Sequence, residues 1–212
     1  MITIVDYGMG NLHSVAKALR RTGHEALVTE DPAQVLVAEG IILPGVGAYA
    51  DAMAALRRRG LDAALRQVVE AGRPFLGICL GLQLLFELSE ENGGARGLGL
   101  LPGRVRRFPE GQGLKVPHMG WNRLDLRRPS PLLGGLPRES YVYFVHSYYV
   151  DPDQPELVAA TAPYGLDMPA AVSRGNCHGV QFHPEKSSAV GLRILSNFGR
   201  LVEAATPEER LA

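Results

Sequence analysis

The sequence is poor in several things at once. Two cysteines in 212 residues, Cys79 and Cys177, cannot build a disulfide framework, so each is either a packed thiol or a reactive one. Neither sign of charge is in excess: 22 Lys and Arg stand against 22 Asp and Glu, which argues against binding nucleic acid or an anionic membrane surface by electrostatics. No apolar run approaches the roughly 18 residues of a membrane span. The opening Met-Ile-Thr-Ile-Val-Asp6 lacks a basic segment and reads as a first strand rather than a signal peptide, which predicts a cytoplasmic chain. There is no Walker A loop, and Gly8-Met-Gly10 lacks the third glycine of a dinucleotide fingerprint, so no nucleotide cofactor is expected. Cys-x-x-Cys and His-Glu-x-x-His spacings are missing, and Cys177 and His178 are adjacent, which on a strand points them to opposite faces; no metal site is expected.

What is present is an ordinary globular composition, 46% hydrophobic and 21% charged, at a length that suits a single domain over residues 1–212. Apolar runs at Ile2 to Asp6, Ala26 to Thr29, Ile41 to Leu43 and Phe75 to Ile78 read as strands. Between them lie helical patterns: Leu12, Val15, Ala16 and Leu19; a start at Asp31-Pro32; and Met53, Leu56, Leu61 and Leu65 broken at Gly60. Leu80, Leu84, Leu85 and Leu88 predict a further helix directly after Cys79. Strands alternating with helices predict a three-layer α/β fold around a mixed, mostly parallel sheet. From Gly93 to Gly135 the chain is rich in Gly, Pro and Arg. Short strands are then expected at Arg104 to Phe108, Trp121 to Leu126, Tyr141 to Val150, Leu157 to Ala160, Ala170 to Ser173 and Gly179 to Phe182, as antiparallel hairpins extending the sheet. Val190, Ile194, Leu195, Phe198, Leu201 and Val202 mark a closing helix, with a frayed tail from Thr206.

Gly77-Ile-Cys79-Leu-Gly81 has the form of a nucleophile elbow with cysteine as nucleophile, in the required strand-turn-helix setting. A turn that sharp leaves no space for Cβ atoms two residues to either side. The helix after it would favour thiolate and offer free N–H groups to an oxyanion. His183, just past a strand in Gln181-Phe-His-Pro-Glu185, is the candidate base, and Glu185 could fix its tautomer. The other five histidines show no such partner pattern. Pro44-Gly-Val46-Gly47, after the third strand, could supply a second oxyanion donor, and a peptide between Val46 and Gly47 could flip to make or remove it. Trp121, Tyr143, Tyr148 and Tyr149 read first as sheet packing, and Cys177 as a packed strand cysteine.

Gly-Ile-Cys-Leu-Gly-Leu-Gln83 together with Phe-His-Pro-Glu185 resembles the class I, triad-type glutamine amidotransferases, over nearly the whole chain. The resemblance implies a flavodoxin-like α/β fold, with Cys79 as nucleophile, His183 as base and acid, and Glu185 as its orienter. It implies oxyanion donors at Leu80 and in the Val46–Gly47 segment, and glutamine held by Gln83, Gly47, Ser147 and Tyr148. Within the family, Asp6-Tyr-Gly-Met-Gly-Asn-Leu12, Pro117-His-Met-Gly-Trp-Asn122, Tyr143-Phe-Val-His-Ser-Tyr148 and His183-Pro-Glu-Lys-Ser187 are similar to the branch serving histidine biosynthesis. There a (β/α)8-barrel cyclase subunit takes ammonia from the glutaminase through an internal passage and makes imidazole glycerol phosphate and an aminoimidazole carboxamide ribotide. The resemblance then implies a heterodimer with Asn11, Trp121, Tyr143 and Lys186 facing the cyclase. Other ammonia-using branches, a partner-free thiol hydrolase and a non-catalytic scaffold are the remaining readings.

Overall fold

A computed structural model describes residues 1–109 and 114–205. The first strand, β1 (Ile2–Val5), is wholly buried, and α1 (Leu12–Arg21) turns Val15, Ala16 and Leu19 inward. β2 (Ala26–Thr29) and α2 (Pro32–Leu36) follow, the helix starting with Asp31 accepting from Ala33 N–H and Pro32 at its first position. β3 (Gly40–Gly45), α3 (Tyr49–Arg58), α4 (Leu61–Glu70), β4 (Phe75–Cys79) and α5 (Leu80–Gln83) complete the alternating half.

α5 is one turn long, not the helix through Leu88 that the leucine spacing predicts. The carbonyls of Leu84 and Leu85 are taken by the N–H groups of Leu98, Leu100 and Leu101, and an outgoing strand, β5 (Phe86–Ser89), replaces further helical turns. It runs parallel to β7 (Leu101–Arg107) and antiparallel to β6 (Ala95–Arg96) in a second, four-stranded sheet ordered β10-β7-β5-β6, where β10 is Tyr148–Pro152. This sheet is not anticipated by a reading in which the later strands only extend the first sheet.

The remaining strands are β8 (His118–Leu126), β9 (Ser140–His146), β10 (Tyr148–Pro152), β11 (Val158–Pro163), β12 (Asp167–Arg174) and β13 (Cys177–Val180). Tyr141 to Val150 is therefore two strands, because β9 pairs with β8 in the large sheet while β10 pairs with β7 in the small one; the chain changes sheets at Ser147. β13 ends two residues before the predicted Phe182. The nine-stranded sheet runs β2-β1-β3-β4-β13-β12-β11-β8-β9, parallel from β2 to β13 and antiparallel beyond.

α1 and the closing helix α6 (Ser188–Ala205) cover one face, burying Leu19, Ile194, Leu195 and Phe198. α2, α3, α4 and the small sheet cover the other, burying Val35, Met53, Leu65, Val105 and Val150. The fold is an α/β architecture with mixed sheets flanked by helices. No helix among the described residues is long and apolar enough to cross a membrane. The tail from Thr206 lies outside the described residues.

Candidate active site

β4 and β13 are parallel neighbours near the middle of the large sheet, so their carboxyl ends open on the same side. Ligand sites of open α/β sheets gather at such ends. Cys79 is the last residue of β4, at φ 55° and ψ −110°, a positive-φ conformation that costs a non-glycine residue about 1–3 kcal/mol. The two flanking glycines are sterically required. A Cβ at Gly81 would lie 1.8 Å from the Leu43 carbonyl oxygen of β3, and one at Gly77 would lie 2.6 Å from the carbonyl oxygen of Gly81. Leu80 is the first residue of α5, so its N–H has no intrahelical acceptor. Because α5 is a single turn, its field at the sulfur comes from these local N–H dipoles rather than from a long macrodipole.

His183 lies three residues past β13. Its N–H donates to the Tyr143 carbonyl of β9 at 2.9 Å, and Ser187 Oγ, which receives the Tyr143 N–H at 3.0 Å, donates to the His183 carbonyl at 2.6 Å. The backbone is thus clamped to the far edge of the sheet. Pro184 opens a turn of 3-10 helix over residues 184–186 and brings Glu185 back to the ring, where His183 Nδ1 stands 2.8 Å from Glu185 Oε1. The side chains of His183 and Glu185 are 4% and 1% exposed. Burial alone would lower the imidazole pKa, but the Cys79 sulfur and the Glu185 carboxylate outweigh it and hold His183 up at about 9.

A cavity of about 400 Å³ lies over these groups. Val46, Gly47, Cys79, Leu80, Gln83, Ser147, Tyr148, His183 and Lys186 all line it, so positions singled out on the sequence converge from well-separated stretches of chain. Gly47 has φ +95°, and a Cβ there would meet Met9 at 2.7 Å. Gln83 Nε2 donates to the Tyr148 carbonyl at 2.9 Å and to Gln181 Oε1 at 3.1 Å, and Gln181 Nε2 reaches Cys79 Sγ at 3.7 Å.

Asn11, Trp121 and Tyr143 do not line the cavity. Trp121 and Tyr143 face each other in the β8–β9 register, ring centroids 6.2 Å apart at 75°, and Lys186 Nζ sits 5.9 Å above the Tyr143 ring. Trp121 is 52% exposed, and Asn11 is exposed before α1 without capping it through its side chain. Lys186 therefore joins the cavity to an outer aromatic patch.

Among the described residues, Glu91, Pro117, Val145 and His146 also line the cavity and are not singled out by the sequence. Glu91 is the most informative, since its Oε2 accepts from Tyr49 N–H at 2.7 Å and so caps α3 while its carboxylate borders the cavity. Nothing in its local sequence marks it. His146 and His118, for which the local sequence shows no partner pattern, are hydrogen-bonded to each other at 3.0 Å. Cys177 is buried in the core, where burial pushes its thiol up to about 12; the packed-cysteine reading stands.

The sequence model described as "Glutamine amidotransferase class-I" matches residues 3–201. A curated protein of Moorella thermoacetica named imidazole glycerol phosphate synthase subunit HisH is 58% identical over 204 residues, covering 96% of each chain. A protein of the same name from Geobacillus sp. (strain WCH70) is 54% identical over 207 residues, covering 96% of this chain and 98% of its own. Among solved structures, one titled a glutamine amidotransferase superposes with a TM-score of 0.76 at 22% identity, over 96% of this chain and 100% of the other. Another glutamine amidotransferase, from Thermotoga maritima, gives 0.67 at 14%, covering 95% and 97%. At that identity the structures speak for the fold, while the family model and the near full-length relatives speak for descent: the chain belongs to the class I glutamine amidotransferases.

Proposed function

We propose that this chain is the glutaminase subunit of an imidazole glycerol phosphate synthase, with Cys79, His183 and Glu185 as its catalytic triad. The observation that carries the reading is the convergence of the elbow cysteine, the buried His183–Glu185 pair and the Gln83–Tyr148 contact on one cavity. The relatives' shared name supplies the branch. A single domain over residues 1–212 is part of the same proposal.

In the reaction, Cys79 sulfur attacks the side-chain carboxamide carbon of glutamine, and the carbonyl oxygen becomes an oxyanion. The N–H of Leu80 and one from the Val46–Gly47 segment hold that charge, an arrangement in which each donor is worth about 10²- to 10³-fold in rate. An imidazole held at about 9 carries its proton at neutral pH, so His183 can give it to the departing nitrogen. Ammonia leaves, a thioester remains on Cys79, and the now neutral imidazole takes a proton from a water whose oxygen attacks the thioester carbonyl; glutamate is released, the Cys79 sulfur is freed and His183 is protonated again. Glu185 holds the ring in the orientation that serves both steps. Gln83, Gly47, Ser147 and Tyr148 hold the substrate, and the Glu91 carboxylate fits its α-ammonium group.

Ammonia freed in water at neutral pH is mostly protonated, because an amine of pKa above 7 is charged there. Delivery to a bound acceptor avoids that loss. The cyclase partner would seat on the patch of Trp121, Tyr143 and Lys186, with Asn11 as a further contact, and Lys186 links that patch to the cavity where ammonia forms. The test is glutamate release by this chain alone, with a (β/α)8-barrel cyclase partner, and with that partner plus its ribotide, with Cys79→Ala as control. Strong activation in the last arm supports both the activity and the partner. Equal rates in all arms reject the coupling, and no release in any rejects the glutaminase reading.

A further inference from the structure

His118 and His146 meet across the β8–β9 ladder, where they are paired in register. They are 3% and 6% exposed, and the His118 ring is stacked between Phe144 and Tyr164, at centroid distances of 4.7 and 3.9 Å. Glutamine hydrolysis by the triad uses neither side chain. Their hydrogen bonds form a chain whose direction follows from its ends.

At one end, Asn122 Nδ2 lies 2.9 Å from the Pro163 carbonyl, and Asn122 Oδ1 lies 2.8 Å from the Arg123 N–H. That fixes the amide with its NH₂ toward His118 Nε2, 3.2 Å away. Nε2 of His118 must accept, which puts the ring proton on Nδ1, 3.0 Å from Nε2 of His146. This second nitrogen accepts in turn, so the His146 proton sits on Nδ1, 2.8 Å from the Tyr148 carbonyl. A carbonyl can only accept, so the far end demands the polarity that the near end imposes.

The Tyr148 carbonyl is also the acceptor of Gln83 Nε2, whose NH₂ is shared with Gln181 Oε1; Gln181 is thereby left with its own NH₂ toward Cys79 sulfur. One backbone oxygen thus sets the facing of two amides, and makes the last group before the sulfur a donor. It lies one residue beyond Ser147, where the chain leaves the large sheet for the small one.

We propose that His118 and His146, both neutral and both protonated on Nδ1, are positioning residues that hold the Tyr148 carbonyl, and through it the Gln83 and Gln181 amides, in the arrangement that receives glutamine and aims a donor at Cys79. This role rests on the glutaminase reading of the site. A proton added to either ring would set two N–H groups against each other along the chain. Burial keeps both rings neutral, pushing His118 down to about 4 and His146 to about 3, the latter despite the Tyr148 carbonyl that favours its charged form.

Long-range ¹⁵N–¹H correlation spectra of the full chain at pH 7 read the tautomers directly. Nδ1–H is expected for both rings, and an Nε2–H form or a cation at either one overturns the relay. Kinetics of the full chain with a barrel cyclase partner and its ribotide then separate positioning from packing. His146→Asn keeps a donor near the place of Nδ1, whereas His146→Gln loses it and fills the place of Nε2. His146→Gln is expected to raise KM for glutamine by about 2- to 13-fold, the worth of one hydrogen bond, with kcat changed less, and His146→Asn to restore most of it. Equal KM values for the two variants overturn the positioning role. Wrong tautomers in a chain with normal glutamine turnover sink the relay alone; absence of glutamate release from every form of the chain sinks the glutaminase reading and the role that rests on it.

Discussion

His183 and Glu185 share a hydrogen bond of 2.8 Å with both side chains all but removed from water, and the second carboxylate oxygen of Glu185 has no partner among the described residues. A carboxylate so buried is tolerable beside a cation, which is what an imidazole held at about 9 supplies. Glu185→Gln removes the charge while keeping an acceptor of the same shape. The His183 titration midpoint, followed by NMR, should move down from about 9, and glutamine turnover should fall by about 10²- to 10⁴-fold, the scale on which a triad depends on its acid. A midpoint unmoved by the substitution would contradict the pairing.

The same shift has a stability sign. The folded pKa of His183 lies above the ordinary value near 6.5 of an unfolded chain, so its contribution is complete below about 6.5 and declines as pH rises through about 9. Urea unfolding of the wild type and of His183→Gln should therefore differ most at the lower end of the range between pH 6 and 10, and converge toward the upper end. A gap that widened with pH would reverse the assignment.

Much of this was legible in the sequence, and the rest failed for identifiable reasons. The alternating half and the Cys79, His183 and Glu185 set depend on local signals: apolar period, glycines at fixed offsets, a proline that turns the chain. Leu80, Leu84, Leu85 and Leu88 have helical spacing, yet the helix stops at Gln83 because Leu98, Leu100 and Leu101 take the carbonyls it would need. Nothing near Leu84 announces those distant partners. His118 and His146 are 28 positions apart and meet only through strand register. Glu91 reaches the cavity because it caps a helix 42 positions away.

Glu91→Gln should weaken glutamine binding more than it weakens the fold. The amide oxygen can still accept from Tyr49 N–H, but the negative charge offered to the substrate's ammonium is gone. A hydrogen bond to a charged group is worth about 1.5–3 kcal/mol, so KM should rise by roughly 10- to 10²-fold while the denaturation midpoint moves little. An unchanged KM would remove Glu91 from the substrate site.

Trp121→Ala addresses the outer patch. With the indole half exposed and packed edge-on to Tyr143, truncation leaves no buried cavity, so stability should stay within about 0.5 kcal/mol, as for ordinary surface changes. If the cyclase seats there, an aromatic of this kind is the sort of anchor that costs more than about 2 kcal/mol when removed. Titration calorimetry against the barrel partner should then show Kd raised by at least about 30-fold, and equal affinity would move the interface elsewhere.

The two thiols should part company under alkylation. Cys177 is buried in the core and burial pushes its pKa up to about 12, so at pH 8 it holds almost none of the thiolate that reacts. Cys79 borders the cavity and has Gln181 Nε2 directed at its sulfur. Brief iodoacetamide treatment of the native chain should therefore label the peptide containing Cys79 and leave Cys177 unmodified, with glutaminase activity lost in step with the first label. Added glutamine should slow that labelling, since substrate fills the cavity through which the reagent must pass. Mass spectrometry of the digested chain reads both sites at once; early labelling of Cys177, or loss of activity out of step with Cys79, would detach the nucleophile from the elbow.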